Sequence, residues 1–408
     1  MVTVAAERSE FSGRGWQLVL SSLLGIGLGL SPLPFYTMGI FAPHLAKEFG
    51  WQKEEIQFAL AVTTRMVLWA GPLVGVLAKR VGVRRIAIGS VVLFSLAFMS
   101  LGLSTGSLTQ FYVTFAAVAV FGAGTLPITW TRAVNGWFDK KRGLALGLSL
   151  MGTGIFGFSA QFFVPAIIAE FGWRWAYVAV GALPLLIAAP VALLLFHDSA
   201  DAAAEGTAPE PAGFTVAETL ADWRFWLMGL GFFGISLILG GMPPNLPDIL
   251  TTGGLDMPSA LKLTSLVGLS AIAGRVLGGW LVDRFWAPAV ALVILGAPAI
   301  ACWWLGHATL DASTAWMPIL LVGFALGVEY DLMAYLLGRY FGLKSYTVSY
   351  AILYVFFSVG AGFGPPMFAY LSRTQGSYAP SLTIASVALI GVAASFLLLG
   401  KYRKFETA

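Results

Sequence analysis

Charge is what this 408-residue chain has least of: Asp, Glu, Lys and Arg make up 11% of it, against 58% apolar residues. A water-soluble domain needs a solvated, charged surface, so the shortage excludes one and leaves lipid as the surrounding medium. Cysteine is nearly missing as well. The single Cys302 cannot form an intrachain disulfide and implies no redox chemistry. Only three histidines occur, His44, His197 and His307, on distant segments without metal-ligand spacing, so no metal or other cofactor is expected and an enzyme is not. No G-x-x-x-x-G-K-[ST] is present, which removes a nucleotide-driven pump. The first 16 residues contain two acids and lead into a full-length apolar span without a small-residue cleavage site, so no removable signal peptide is expected.

What is abundant points the same way. Mean hydropathy is +0.82, and the chain carries 30 Phe, 14 Trp and 48 Gly, a polytopic helical membrane composition. Apolar runs long enough to cross a bilayer fall at 17–43, 54–78, 85–104, 108–137, 143–169, 173–196, 222–249, 258–282, 287–306, 314–340, 346–372 and 379–400, here numbered spans 1 to 12. Twelve spans return the chain to its starting side. Fifteen Lys and Arg fall on the side shared with the termini and five on the other, which predicts cytoplasmic termini in the cell (inner) membrane. The pI of about 9.1 then follows from topology, and no nucleic-acid partner is implied.

The few ionisable residues inside the apolar runs carry the functional signal. Arg65, Arg132, Arg275, Glu329 and Asp331 stand where an ion is expensive unless it is paired, wetted or bound to a ligand. Three positive charges against two negative predict a net positive interior suited to an anion. Arg65 lies near mid-membrane, and either grips substrate or is neutralised by a carboxylate across the interface. Arg132 is about a turn and a half from Trp137, a position for snorkelling or a gate contact. Glu329 and Asp331 are two positions apart, about 200° around a helix, so both cannot point into one cavity. Gly323, Gly327, Asp331 and Tyr335 make a small or polar stripe expected to face a cavity or gate, while pairing with Arg275 is open to either acid.

Segment 197–221, rich in Ala, Pro and acids, is the one long polar stretch and separates an N-terminal half, 1–196, from a C-terminal half, 222–408. It reads as a cytoplasmic linker. Landmarks recur at a constant offset: Gly50 and Gly254, Gly75 and Gly279, Arg80 and Arg284, and Gly172 and Gly376 all lie 204 apart, Phe138 and Phe341 203. Five pairs in register argue for a duplicated six-helix unit.

The loops GVLAKRVGVRR (75–85) and GWLVDRF (279–285) resemble the G-x-L-A-D-R-x-G-R-R motif of the major facilitator superfamily. The resemblance implies twelve helices in two pseudo-symmetric halves, and a gate on the cytoplasmic side at Lys79, Arg80, Asp283 and Arg284. The family's Asp is Lys79 in the first copy and Asp283 in the second. Within the superfamily, WFDKKRGLALGLSLMG (137–152) resembles the Y-F-x-K-R-R-x-L-A-x-G-x-A-x-A-G motif of monocarboxylate transporters and their oxalate–formate exchanger relatives. Arg275, in AIAGRVLGGW (271–280), matches the substrate-facing Arg of that branch. Three features depart from the branch pattern: Ala271 replaces its proton-carrying Asp, no Lys occurs between Tyr346 and Leu371, and Gly13-Arg14-Gly15-Trp16 is all that remains of its acidic motif.

The resemblance implies a secondary transporter of a small mono- or dicarboxylate, aromatic ones included, working by alternating access as a proton symporter or an exchanger, and as a monomer. Arg275 would hold the anion through the guanidinium fork. Further candidates for substrate contact are Tyr350 and Tyr354, from the Tyr346, Tyr350, Tyr354 repeat on span 11, with Tyr36, Trp130 and Asn245 on spans 1, 4 and 7. Glu329 or Asp331 would carry a coupling proton. Efflux of lipophilic compounds is the alternative within this class, and a receptor or channel the alternative outside it.

Overall fold

A helix satisfies its own backbone, and so a chain this apolar folds into helices. The computed structural model describes residues 10–197, 212–311, 313–403 and 405, and among them twelve helices are long and apolar enough to cross a membrane. The 198–211 portion of the expected linker lies outside the described residues. Its continuation is tied down: Phe214 donates its amide to Phe341 O at 2.9 Å and Leu343 to Ala212 O at 2.9 Å, before a short helix over Val216–Ala221.

The duplication reads out in backbone conformation. Gly50 and Gly254 have φ of 70° and 114°, and Gly172 and Gly376 have 81° and 70°, so each pair closes the same turn in its own half with a residue free of a Cβ clash. Both ends of the described chain lie on one side, called here the terminal side. Glu10 meets the turn at 139–141, and the Ala287 amide donates to the Tyr402 hydroxyl at 2.8 Å.

Two spans of the N-terminal half are broken in mid-course. Span 1 is helical over Gly13–Gly27 and again over Pro32–Phe49. Span 4 runs Leu108–Gly122, tightens to a 3-10 turn and resumes at Pro127–Trp137. The breaks face each other: the Leu30 amide, freed by the first, donates to Thr125 Oγ1 of the second at 2.8 Å.

Glycine sets how closely the halves approach. A Cβ on Gly143 would stand 2.2 Å from Gly279 O, one on Gly147 2.1 Å from Arg275 O, and one on Gly154 2.7 Å from Ile272. Span 5 thus rides on the backbone of span 8, antiparallel to it. On the opposite edge span 2 meets span 11, where a Cβ on Gly75 would stand 3.2 Å from Val348.

Candidate functional site

Span 8 presses on span 5 at Arg275, whose carbonyl oxygen would stand 2.1 Å from a Cβ on Gly147, and span 10 packs on its other side. The stripe of Gly323, Gly327, Asp331 and Tyr335 faces that seam and not a cavity: Gly323 abuts Val267 and Ser270, Gly327 abuts Ala271, and the Tyr335 hydroxyl donates to Val282 O at 2.9 Å. Small residues let two helices close up, and the sequence pattern for that matches the pattern for a cavity wall. Asp331, on the same stripe, therefore meets Arg275, with Nη1 to Oδ1 at 3.0 Å. The pair is buried, at 7% exposure for Arg275 and 3% for Asp331.

The pair leaves polar capacity unused. Asp331 Oδ2, Glu329 Oε2 and the Tyr350 hydroxyl are all buried and make no hydrogen bond. Arg275 is within electrostatic reach of Glu329, Tyr350 and Tyr36, and its guanidinium stands 5.9 Å from the centre of the Tyr330 ring. Around it gathers an aromatic group. The Tyr330 and Tyr354 ring centres are 6.1 Å apart, Tyr330 packs on Phe357 with ring centres 4.4 Å apart, and the Tyr36 ring lies against Gly157.

This corrects the charge expected inside. The cluster holds one guanidinium and two carboxyls, not an excess of positive charge. Arg132 reaches across the halves, with Nη1 donating to Thr347 Oγ1 at 3.0 Å. Arg65 is exposed, on a helix stripe shared with Phe58 and Trp69 and opposite the buried face of Val67 and Val74.

The terminal side is closed by contacts between the halves. Asp283 accepts the Gly143 amide at 2.6 Å and the Leu144 amide at 2.8 Å, so a carboxylate of one half caps the helix N-terminus of the other. Arg339 binds Asp139 through both the side chain at 2.8 Å and the main-chain oxygen at 2.9 Å. The Tyr346 hydroxyl joins Asn135 and Thr131 at 3.1 and 3.0 Å, which takes it out of the expected tyrosine face. Arg284 instead stacks on Trp280 of its own helix, and Arg80 is exposed. The side chain of Lys79 lies outside the described residues.

The gate has a strap that the motif comparison missed. Glu10 accepts the amides of Asp139, Lys140 and Lys141 at 3.0, 2.9 and 2.8 Å, while Phe11 packs on Phe138. Burial works to raise the Glu10 carboxyl, but the three amides outweigh it and hold the group below the usual carboxylate range. Three positions before the residues compared with the acidic motif, an acid does sit on the span 4–5 turn.

Two further candidates prove to be internal to one half. Trp130 is fully buried against Gly25 and Phe196. Asn245 braces the span 11 proline kink: its amide donates to Gly241 O at 2.8 Å and Pro365 O at 3.2 Å and accepts from the Tyr378 hydroxyl at 3.3 Å. Tyr330, which enters the site, lacked any motif or periodic signal.

Comparison with known proteins agrees with this architecture. The family model of the Major Facilitator Superfamily matches residues 24–365. An uncharacterized 38 kDa protein of Thermoproteus tenax is 28% identical, over 93% of this chain and 94% of its own length. Rat monocarboxylate transporter 13 is 25% identical, over 93% and 87%. Among solved structures, the Escherichia coli fucose:proton symporter superposes with a TM-score of 0.74 at 14% identity, over 97% of this chain and all of that one.

Proposed function

The chain belongs to the major facilitator superfamily, and on that premise we propose that it is a secondary active transporter of small organic anions, carboxylates foremost, working by alternating access in the cell membrane with its termini in the cytoplasm. The observation that carries the reading is Arg275: a buried guanidinium with a single hydrogen-bonded carboxylate partner, Asp331, standing between the closed terminal gate and an aromatic group. A substrate carboxylate can take both arms of that fork, a geometry Lys cannot offer. Tyr36, Tyr330 and Tyr354 would face the rest of the substrate, and aromatic carboxylates suit such a lining. Similarity to a monocarboxylate transporter across most of both chains supports the same class.

Charge balance bears on coupling. With Asp331 on Arg275, Glu329 Oε2 is left without a hydrogen bond among the described residues, and a substrate anion arriving at Arg275 would displace Asp331 as well. Each displaced carboxyl is most cheaply buried with a proton, which favours proton symport over exchange. Thermal-shift screening of the purified protein against a carboxylate panel tests the substrate class, since a ligand of the folded state raises stability by mass action. A carboxylate that stabilises wild type and not Arg275→Lys supports the reading. A panel without effect, or an equal effect on both proteins, overturns it.

A further inference from the structure

On the face away from the terminal side, the ends of spans 1 and 3 and the span 5–6 turn of one half correspond to the ends of spans 7 and 9 and the span 11–12 turn of the other. In the N-terminal half this corner is solid. The Trp173 indole donates to Glu48 Oε2 at 2.5 Å, carries the Arg174 guanidinium 4.2 Å over its ring and stands edge-on to Phe49, with ring centres 5.8 Å apart. Arg174 itself binds Glu48 at 2.6 Å and the Ser104 carbonyl at 3.3 Å. In the C-terminal half the positions 204 later are Thr252 for Glu48, Gly253 for Phe49, Ala308 for Ser104, Ser377 for Trp173 and Tyr378 for Arg174. The backbone keeps that register. Gly172 and Gly376, one residue before Trp173 and Ser377, share a positive φ, and Ser104 and Ala308 both leave their helices extended, with ψ of 129° and 148°.

One of the lost rings is made good and the other is not. Phe49 packs over Gly106, and at the repeat-related pair the sizes are exchanged: Leu310 packs over Gly253, where a Cβ would stand 2.4 Å from Leu310 Cδ1. Among the described residues no side chain takes the place of the Trp173 indole. Tyr378 turns inward, its hydroxyl donating to Asn245 at 3.3 Å, and a cavity of about 230 Å³ opens between Thr252, His307, Ser377 and Tyr378. That is less than the roughly 300–1,000 Å³ of drug-sized sites, and suits one ring or two fused ones. The walls select the chemistry. Tyr378 and His307, whose ring stacks on Trp303 with centres 4.0 Å apart, are aromatic, Thr252 and Ser377 bring hydroxyls, and no carboxylate, Lys or Arg lines the cavity among the described residues. A charged guest would find no counter-ion there.

We propose that this hollow is a binding site for a small neutral aromatic molecule with an N–H or O–H donor, of which indole is the type. The guest seats where the other half seats its own Trp173, and donates to the Thr252 hydroxyl as Trp173 donates to Glu48. Bound there, it braces span 7 against the span 11–12 turn, as Trp173 braces span 1 against the span 5–6 turn.

The test titrates the full chain in lipid nanodiscs with 5-fluoroindole and follows the fluorine line width. Wild type should broaden the probe saturably. Ser377→Trp, which restores the indole that the N-terminal half carries, should abolish the saturable component. Thr252→Val should weaken it roughly fivefold, the worth of one hydrogen bond. Broadening that never saturates, or that is the same in Ser377→Trp, marks partition into the lipid only and overturns the proposal. An affinity unmoved in Thr252→Val overturns it as well. Should Ser377→Trp fail to fold, Ser377→Leu fills the same space and decides by the same comparison.

Discussion

The Asp283 carboxylate receives the Gly143 amide at 2.6 Å across the boundary between the halves, so the acid that ends span 8 caps the helix that begins span 5. A carboxylate there meets both the unpaired amides and the positive end of the helix dipole, and it does so only while the gate is shut.

Asp283→Asn should therefore loosen the closed state without unfolding either half. Loss of the charge at a helix N-terminus costs about 0.3–1 kcal/mol, up to roughly a fivefold shift between closed and open states. Alkylation of a cysteine placed at Val282, a larger residue buried against Gly143 when closed, measures it. An alkylation rate equal to that of the Asp283 parent would mean that the cap does not hold the gate.

Arg275→Lys should reduce carboxylate transport strongly while expression and melting temperature stay close to wild type. Lys retains the charge facing Asp331 but not the two parallel donors. Uptake in proteoliposomes is the measurement, and near-normal rates would remove Arg275 from the anion site.

Glu10 predicts a pH dependence with a definite sign. Its carboxyl is held below its usual range by three amides, so its contribution is present above the unfolded-state value and fades as pH falls through the folded-state value. Glu10→Gln should melt below wild type at neutral pH, and the two melting curves should converge in acid. A difference that persists or grows on acidification would assign the effect to something other than this carboxylate.

Thr125→Val keeps the shape of the side chain and removes the acceptor for the Leu30 amide. A buried donor left unpaired costs about 1–3 kcal/mol, so a clear drop in thermal stability is expected. An unchanged melting temperature would show that the broken backbone of span 1 is satisfied in some other way.

Arg65→Gln should weaken a dicarboxylate and its monocarboxylate analogue alike, because Arg65 sits on the exposed stripe with Phe58 and Trp69. A selective loss for the dicarboxylate, measured by calorimetry, would return Arg65 to the site as a second clamp.

The fold was largely legible in the sequence because bilayer crossing demands long apolar runs and the duplication repeats its turns: Gly50 with Gly254 and Gly172 with Gly376 each prove to share a positive φ. Arg275 and Asp283 were legible through their motifs. The partners of these residues were not. Which of Glu329 and Asp331 meets Arg275 depends on which face of span 10 packs on span 8, and a seam of small residues looks like a cavity wall when only one helix is read. Trp130 was misplaced for a related reason, since an apolar face does not say whether it is packed against its own half or lines the path. The Asp139 to Arg339 pair joins residues 200 positions apart and leaves no local trace. Tyr330 is one aromatic among many until Arg275 is found beside it.

The duplicated gate is not duplicated in its chemistry. On the edge where span 8 meets span 5 the motif ends in Asp283, an acceptor for two amides, whereas at the matching place on span 2 it ends in Lys79, a residue that can only donate. Among the described residues, the edge at span 11 has the close fit of Gly75 on Val348, the Arg132 donation to Thr347 and the Tyr346 hydroxyl with Asn135 and Thr131. One edge is held by a carboxylate on a helix end and the other by contacts to hydroxyls, so the two should differ in what frees them: loss of a single charge on the first, loss of hydroxyl groups on the second.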